Sequence, residues 1–183
     1  MKKIITAVFF TTGLWFISSA QIYIADSCRV VFFSEAPIEN ITAVNLISKP
    51  IMSIATGEID IKINNQFFKF KKELMQEHFN EEYMETGKYP YSTFTGKVNE
   101  KLDYTKNGEN KVTVSGTMDM HGVKNKITIP GTITIQNGKL FLKAVFYIKP
   151  ADYKIKVPSL MGSNIAEQLE VTLTSTMSPY GGK

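Results

Sequence analysis

Two histidines and one cysteine are the side chains of this 183-residue chain best suited to acid–base catalysis or metal binding. His78 follows Glu77 and precedes Glu81 and Glu82, a group that an acid–base or metal site would use. The same spacing is also typical of a helix on which the histidine lies on an apolar stripe while the acids face water, and we favour this second interpretation. His121 lies in a predicted hairpin turn, and its tolerance of left-handed backbone is enough to explain it there.

The motifs that mark enzymes and metal sites do not occur in the sequence. There is no His-Glu-x-x-His, no paired Cys-x-x-Cys, no Asp-rich calcium loop, no Gly-x-Ser-x-Gly and no phosphate-binding glycine loop. We therefore predict a binding protein with no catalytic residue, no metal and no cofactor. An enzyme that acts on lipids would depend on Glu77, His78 and Asp152 as its polar groups.

The N-terminal residues 1–20 have the three parts of a secretory signal peptide. Lys2 and Lys3 precede an apolar stretch over residues 4–17, and Ser18 and Ala20 are the small residues before a cleavage site. The apolar stretch is shorter than the roughly 20 residues of a membrane-spanning helix. We predict cleavage after Ala20, a single mature domain over residues 21–183, a periplasmic or secreted location, and no stable membrane insertion.

The net charge and the single cysteine limit the kinds of partner that the sequence predicts. Removal of the two signal lysines leaves 19 basic and 17 acidic residues, so the net charge falls from +4 to +2. This is too weak to predict nucleic-acid binding. Cys28 cannot form an internal disulfide because it is the only cysteine, and we interpret it as a small buried strand residue, with an intermolecular disulfide as the alternative. The sequence leaves a homodimer open.

Alternation of apolar and polar residues with a period of two predicts β-strands that bury one face. It occurs over residues 29–34, 41–47, 57–70, 112–120, 127–135, 140–148 and 169–173. Tight hairpins are predicted at Asn107-Gly108, His121-Gly122 and Asn137-Gly138. In the third segment the apolar phase changes after Ile63, which predicts a bulge or bend at Asn64-Asn65. About eight such strands indicate an all-β fold, either an antiparallel sandwich or a closed barrel.

One amphipathic helix is predicted over residues 71–86, ended by Gly87 and Pro90. Its apolar stripe consists of Leu74, Met75, His78, Phe79, Tyr83 and Met84. In a barrel, such a helix can cap an open end. A barrel of about eight strands has room for one ligand, and a lining of Phe and Met suits an apolar one. The predicted ligand-lining residues are Phe68, Phe70, Met75, Phe79, Tyr83, Met84, Phe94 and Phe146.

Several segments together resemble the YceI-like family. They are Phe68-x-Phe70, residues 74–85, residues 88–96, residues 114–117, His121-Gly122-Val123, Ala151-Asp152-Tyr153 and Ile165-Ala166-Glu167. The sequence Glu-His-Phe-Asn at residues 77–80 resembles that of family members from the Bacteroidetes branch. The resemblance implies a lipocalin-like antiparallel barrel, exported to the periplasm, that encloses a polyisoprenoid or similar amphiphile.

The sequence thus predicts a non-catalytic carrier of a polyisoprenoid, a quinone or another long-chain lipid, held inside the barrel. The alternative is a barrel filled by its own side chains that serves as an interaction module in the cell envelope without a lipid ligand.

Overall fold

The computed structural model describes residues 21–35, 40–156 and 167–181, and the predicted signal peptide lies outside them. The described chain forms an antiparallel sheet of ten strands, which confirms the predicted all-β class. The strands are β1 (Ile22–Ser34), β2 (Ile41–Asn45), β3 (Ile51–Ser53), β4 (Glu58–Asn64), β5 (Lys69–Phe70), β6 (Tyr91–Val98), β7 (Gly108–Met120), β8 (Val123–Gln136), β9 (Lys139–Ile148) and β10 (Leu169–Pro179).

Pairing of the first strand with the last closes the sheet into a barrel. Eight strands form the ring in the order β1-β3-β4-β6-β7-β8-β9-β10, and β10 returns to β1. The strand pattern alone left a sandwich and a barrel open, but the family resemblance predicted a lipocalin-like barrel of about eight strands, and the β1–β10 pairing confirms that prediction. The C-terminal half of β1 pairs with β2, which pairs with β5, so these two short strands extend the wall beside the ring.

Alternate residues of each strand face the interior, as the period of two predicts. In β6, for example, Ser92, Phe94, Gly96 and Val98 are buried, while the residues between them are more exposed. In β1 a bulge between Ala25 and Ser27 shifts the alternation by one residue. The buried residues are therefore Tyr23 and Ala25 before the bulge and Cys28 and Val30 after it. The sequence prediction began this strand only at residue 29 because the bulge interrupts the alternation.

Two of the three predicted hairpins are confirmed. His121-Gly122 and Asn137-Gly138 are two-residue turns in which both residues have positive φ, the geometry of a type I′ turn. The prediction at Asn107-Gly108 is wrong, because residues 99–107 form a longer loop and Gly108 is the first residue of β7. The reversal is made within that loop, where Asp103 accepts hydrogen bonds from the backbone N–H and the hydroxyl of Thr105.

The predicted break at Asn64-Asn65 is confirmed as a bend. The Asn64 side chain accepts a hydrogen bond from the N–H of Gln66 at 3.1 Å and caps a short 3₁₀ turn over Asn65–Phe67. The chain thereby leaves β4 and resumes as β5, which pairs with a different strand.

The predicted helix over residues 71–86 is shorter and less regular in the structure. An α-helix, α1 (Glu73–His78), continues as a π-helical turn (Phe79–Tyr83), and the helix ends where Glu85 adopts a φ of 43°. The wider π turn rotates the faces on its two sides relative to each other. The prediction of one continuous stripe is therefore wrong at Leu74, which is 60% exposed, whereas Phe79 and Met84 are buried.

No helix within the described ranges is long and apolar enough to cross a membrane.

Candidate ligand-binding cavity

The barrel encloses a cavity of about 160 Å³. Inward-facing side chains of seven strands, β1, β4, β6, β7, β8, β9 and β10, form its wall, among them Ile59, Phe94, Val112, Ile133, Leu142 and Leu173. Most of this wall is aliphatic or aromatic carbon. The interior is therefore hollow rather than completely filled by side chains, which the sequence could not decide.

The two buried polar side chains in this wall, Asn65 and Ser92, are hydrogen-bonded to the protein. Asn65 is 1% exposed, donates to the carbonyl oxygen of Tyr89 at 2.9 Å and accepts from the Ser92 hydroxyl at 3.0 Å. Across the described residues, every buried side-chain nitrogen and oxygen has a hydrogen-bond partner. The cavity therefore presents mainly apolar surface and no buried side-chain polar group without a hydrogen-bond partner.

Five of the eight predicted ligand-lining residues lie in the cavity wall: Phe68, Phe79, Met84, Phe94 and Phe146. Phe70 and Tyr83 instead pack behind the wall against the core, and Met75 is half-buried on α1. The contribution of any of these residues to ligand binding stays a prediction. Phe32 and Val112 also line the cavity and were not among the predicted set, although the alternation in their strands indicates inward-facing positions.

Four phenylalanines form a cluster where the helical segment meets the barrel. The ring of Phe79 lies 5.0 Å from Phe70, 5.5 Å from Phe32 and 5.7 Å from Phe68, measured between centroids. Phe32 also contacts Phe68 at 5.3 Å. Three of these rings, Phe32, Phe68 and Phe79, also line the cavity, so the phenylalanine cluster lies between the helical segment and the cavity.

His121 connects three segments at the same end of the barrel. Its Nδ1 donates to the carbonyl oxygen of Tyr153 at 3.1 Å, and its Nε2 lies 2.9 Å from Oε2 of Glu85. Its ring packs on Tyr89 with 4.3 Å between centroids. The side chain of His121 is only 9% exposed. Turn geometry alone explained this residue in the sequence, but in the structure it also joins the β7–β8 hairpin to two distant loops.

We expect His121→Asn to lower the free energy of unfolding by about 2 kcal/mol. Asparagine tolerates the left-handed backbone of this turn but is too short to make both hydrogen bonds, so the buried carbonyl of Tyr153 loses its partner. Glu85→Ala is the comparison, and it should cost less because the Glu85 side chain is 44% exposed and its carboxylate is already partly hydrated. Urea unfolding measures both changes, and equal losses would contradict the role given to the Tyr153 contact.

The three polar residues that the sequence named for an enzyme lie on two elements of the structure. Glu77 and Asp152 are exposed, His78 is half-buried, and they lie on different elements, α1 and a 3₁₀ turn over Pro150–Tyr153. In the part of the chain that the structure describes, no three His, Cys, Asp or Glu side chains are placed to hold a metal ion.

Cys28 is a buried residue of β1, which confirms the sequence interpretation. Burial raises the pKa of its thiol to about 11, and a hydrogen bond with Ser175 opposes this rise only in part.

We expect Cys28 to react with iodoacetamide far more slowly in the folded protein than in urea. At pH 8 a thiol of pKa about 11 is ionised in only about one molecule in a thousand, and the thiolate is the reactive form. The difference should exceed about a hundredfold when mass spectrometry follows the modified fraction. Rapid modification of the folded protein would show that Cys28 is accessible and would support the alternative interpretation, an intermolecular disulfide.

Solved structures of similar shape come from several bacteria, while no curated protein sequence matches this chain. A polyisoprenoid binding domain from Saccharophagus degradans, implicated in plant cell wall breakdown, superposes with a TM-score of 0.73 at 18% identity, covering 86% of this chain and 98% of that one. BcnA from Burkholderia cenocepacia gives 0.67 at 14% identity, covering 81% and 95%. The YCEI protein of Campylobacter jejuni gives 0.57 at 18% identity and full coverage of both chains.

At these identities the similarity shows a common fold. The family model is more specific, since the YceI-like domain matches residues 34–177, a range that runs from the end of β1 to the closing strand β10. This match, together with the closed antiparallel barrel and its apolar interior, establishes the family: the chain belongs to the YceI-like proteins.

Proposed function

We propose that this protein is a non-catalytic carrier that holds a long apolar molecule, such as a polyisoprenoid, a quinone or another lipid, in the barrel interior. The observation that supports this most directly is the largely apolar cavity in the barrel interior, whose buried polar side chains Asn65 and Ser92 are already hydrogen-bonded. The S. degradans domain, which is named for polyisoprenoid binding, has the same fold and adds support. A barrel filled by its own side chains is the less favoured alternative because it leaves this cavity unexplained.

The cavity volume limits how the ligand binds. An engineered protein cavity of about 150 Å³ accommodates benzene, so a cavity of this size holds a ring or a short chain segment without change. A longer chain requires wall side chains to move. Met84, Met118 and Met120 lie in the wall, and methionine repacks readily because its side chain is unbranched. We infer that the ligand widens the cavity by displacing these side chains.

We further propose that the carrier works after export, in the periplasm or outside the cell. Cleavage after Ala20 would leave Gln21 as the first residue, and β1 begins at the next residue, so every strand that the structure describes would remain after processing. The intact mass of protein purified from an exporting host tests this, because it should correspond to a chain that begins at Gln21.

Native mass spectrometry followed by organic extraction tests the carrier proposal. We expect the purified protein to carry a non-covalent lipid that extraction releases. We also expect the stripped protein to bind added alkyl alcohols with an affinity that rises with chain length. Each buried CH₂ contributes about 0.8 kcal/mol, so the dissociation constant should fall by up to about fourfold per carbon until the cavity is full.

Failure to find a lipid, together with no binding of any added isoprenoid or alkyl alcohol, would contradict the proposal. Co-purification of an envelope protein in place of a lipid would instead support the interaction module.

A further inference from the structure

The pairing between β8 and β9 is incomplete. It runs from Gln136 opposite Lys139 to Gly131 opposite Ala144 and stops there. Among the residues that the structure describes, the rest of β8, residues 123–130, pairs only with β7, and the last residues of β9, 145–148, pair only with β10. The strands separate at Pro130, which has no N–H to donate to a neighbouring strand.

The gap has defined limits, and we call it the side opening: the space between residues 126–130 of β8 and residues 145–148 of β9. One limit is the last strand pair, Gly131 with Ala144. The other limit is the 3₁₀ turn after β9, which is tied to the β7–β8 hairpin. There the Asn125 side chain donates to the carbonyl oxygen of Asp152 at 2.9 Å, and His121 donates to that of Tyr153.

The side opening adjoins the interior cavity directly. Ile129, Pro130, Phe146 and Ile148 line both the outer groove of the opening and the cavity within. Apolar surface therefore continues from the outer face of the barrel to its interior. On the outside, Tyr147 is 62% exposed at the edge of the opening, where an aromatic side chain offers apolar surface to an arriving chain.

At both ends of the barrel, by contrast, side chains pack against one another. The phenylalanine cluster lies at the helix end. Near the other end, Met52, Leu140 and Met177 are at most 1% exposed, and the Tyr23 hydroxyl is hydrogen-bonded to the carbonyl oxygen of Gly138. Passage through either end would disrupt this packing, whereas passage between β8 and β9 breaks no strand pairing.

We propose that the side opening is the entrance through which the apolar chain of the ligand passes between solvent and cavity. This inference rests on the proposed carrier function and adds the route. The ligand class it implies is an amphiphile with a flexible apolar chain narrow enough to pass between two strands.

The test is a removable obstacle at the opening. Thr128 lies on the exposed face of β8 beside the opening, so Thr128→Cys allows a bulky methanethiosulfonate reagent to be attached there. Cys28 should not interfere, because its thiol is buried and poorly ionised. Thr134→Cys is the matched control, since Thr134 lies on the same strand where β8 is still paired, opposite Phe141.

Stopped-flow fluorescence of retinol, an isoprenoid alcohol, gives the rate constants. An obstacle in an entrance raises the barrier equally in both directions, so we expect the label at position 128 to slow association and dissociation by at least about tenfold each while the dissociation constant stays the same. Reduction of the label should restore both rates, and the label at position 134 should change neither.

Unchanged rates with the label at position 128 would overturn the entrance while leaving the carrier function intact. A weaker dissociation constant with unchanged association would also overturn it, because the label would then be acting on the bound state. Failure of the unlabelled protein to bind retinol or any alkyl alcohol would contradict the carrier function and the entrance together.

Discussion

A phenyl ring placed inside the barrel should abolish lipid binding without unfolding the protein. Ala144 is an inward-facing residue of β9 in the cavity wall. Because a cavity of about 150 Å³ accommodates benzene, the added ring of Ala144→Phe is large enough to occupy most of the 160 Å³ available. We expect the purified variant to carry no lipid and to bind retinol at least about a hundredfold more weakly in a fluorescence titration.

The melting temperature separates loss of the cavity from loss of the fold. Filling a cavity is neutral or stabilising when the new side chain fits, so the variant should melt within a few degrees of the wild type. Thr174→Phe is the matched control. Thr174 is on β10, opposite Lys143 of β9, and its side chain is on the face of the strand away from the buried residues. The substitution therefore adds the same ring outside the barrel. Lipid bound by Ala144→Phe with wild-type affinity would mean that the ligand lies elsewhere.

The largest loss of stability is expected for Phe79→Ala. Phe79 contacts three rings of the phenylalanine cluster and attaches the helical segment to the barrel. Truncation of a buried phenylalanine costs about 3–5 kcal/mol through lost contacts and the space that remains. For a protein of this length each kcal/mol lowers the melting temperature by about 2–4 °C, so a decrease of about 10 °C is expected in thermal unfolding.

Leu74→Ala is a sharp control for that experiment. The sequence pattern placed Leu74 and Phe79 on the same apolar stripe, but Leu74 is exposed in the structure. An exposed truncation should change the free energy of unfolding by less than about 0.5 kcal/mol. Similar losses in the two variants would contradict the observed orientation of α1.

Two of the predicted lining residues that lie in the cavity wall are on regular strands, where the alternation of residues identifies the inward face. Phe94 and Phe146 occupy buried phases of β6 and β9, and a period of two is a local property that the residues of one strand reveal by themselves. Phe70 and Met75 were assigned to the lining but do not reach it. Phe70 lies beyond the 3₁₀ turn, on a strand with a different partner, and Met75 precedes the π turn that rotates the helix.

The role of His121 shows the same limit more plainly. Its neighbours in sequence indicate a turn, and the turn is there. Its hydrogen-bond partners are 32 and 36 residues away in the sequence, so no local pattern points to them.

The sequence by itself determined the strand faces, two hairpin turns, the bend at Asn64-Asn65 and the all-β class, because each depends on residues within a few positions of one another. Strand alternation left a sandwich and a barrel open; the family resemblance predicted the barrel, and the β1–β10 pairing confirms it. The tertiary structure alone decided the size of the cavity and the separation of β8 from β9. Closure depends on pairing between β1 and β10, which lie at opposite ends of the chain. The cavity is the space left between side chains from seven strands, and the side opening is set by the position at which the β8–β9 pairing stops. The cavity volume and the strand register depend on how several elements pack together, so the periodicity of a single strand cannot predict them.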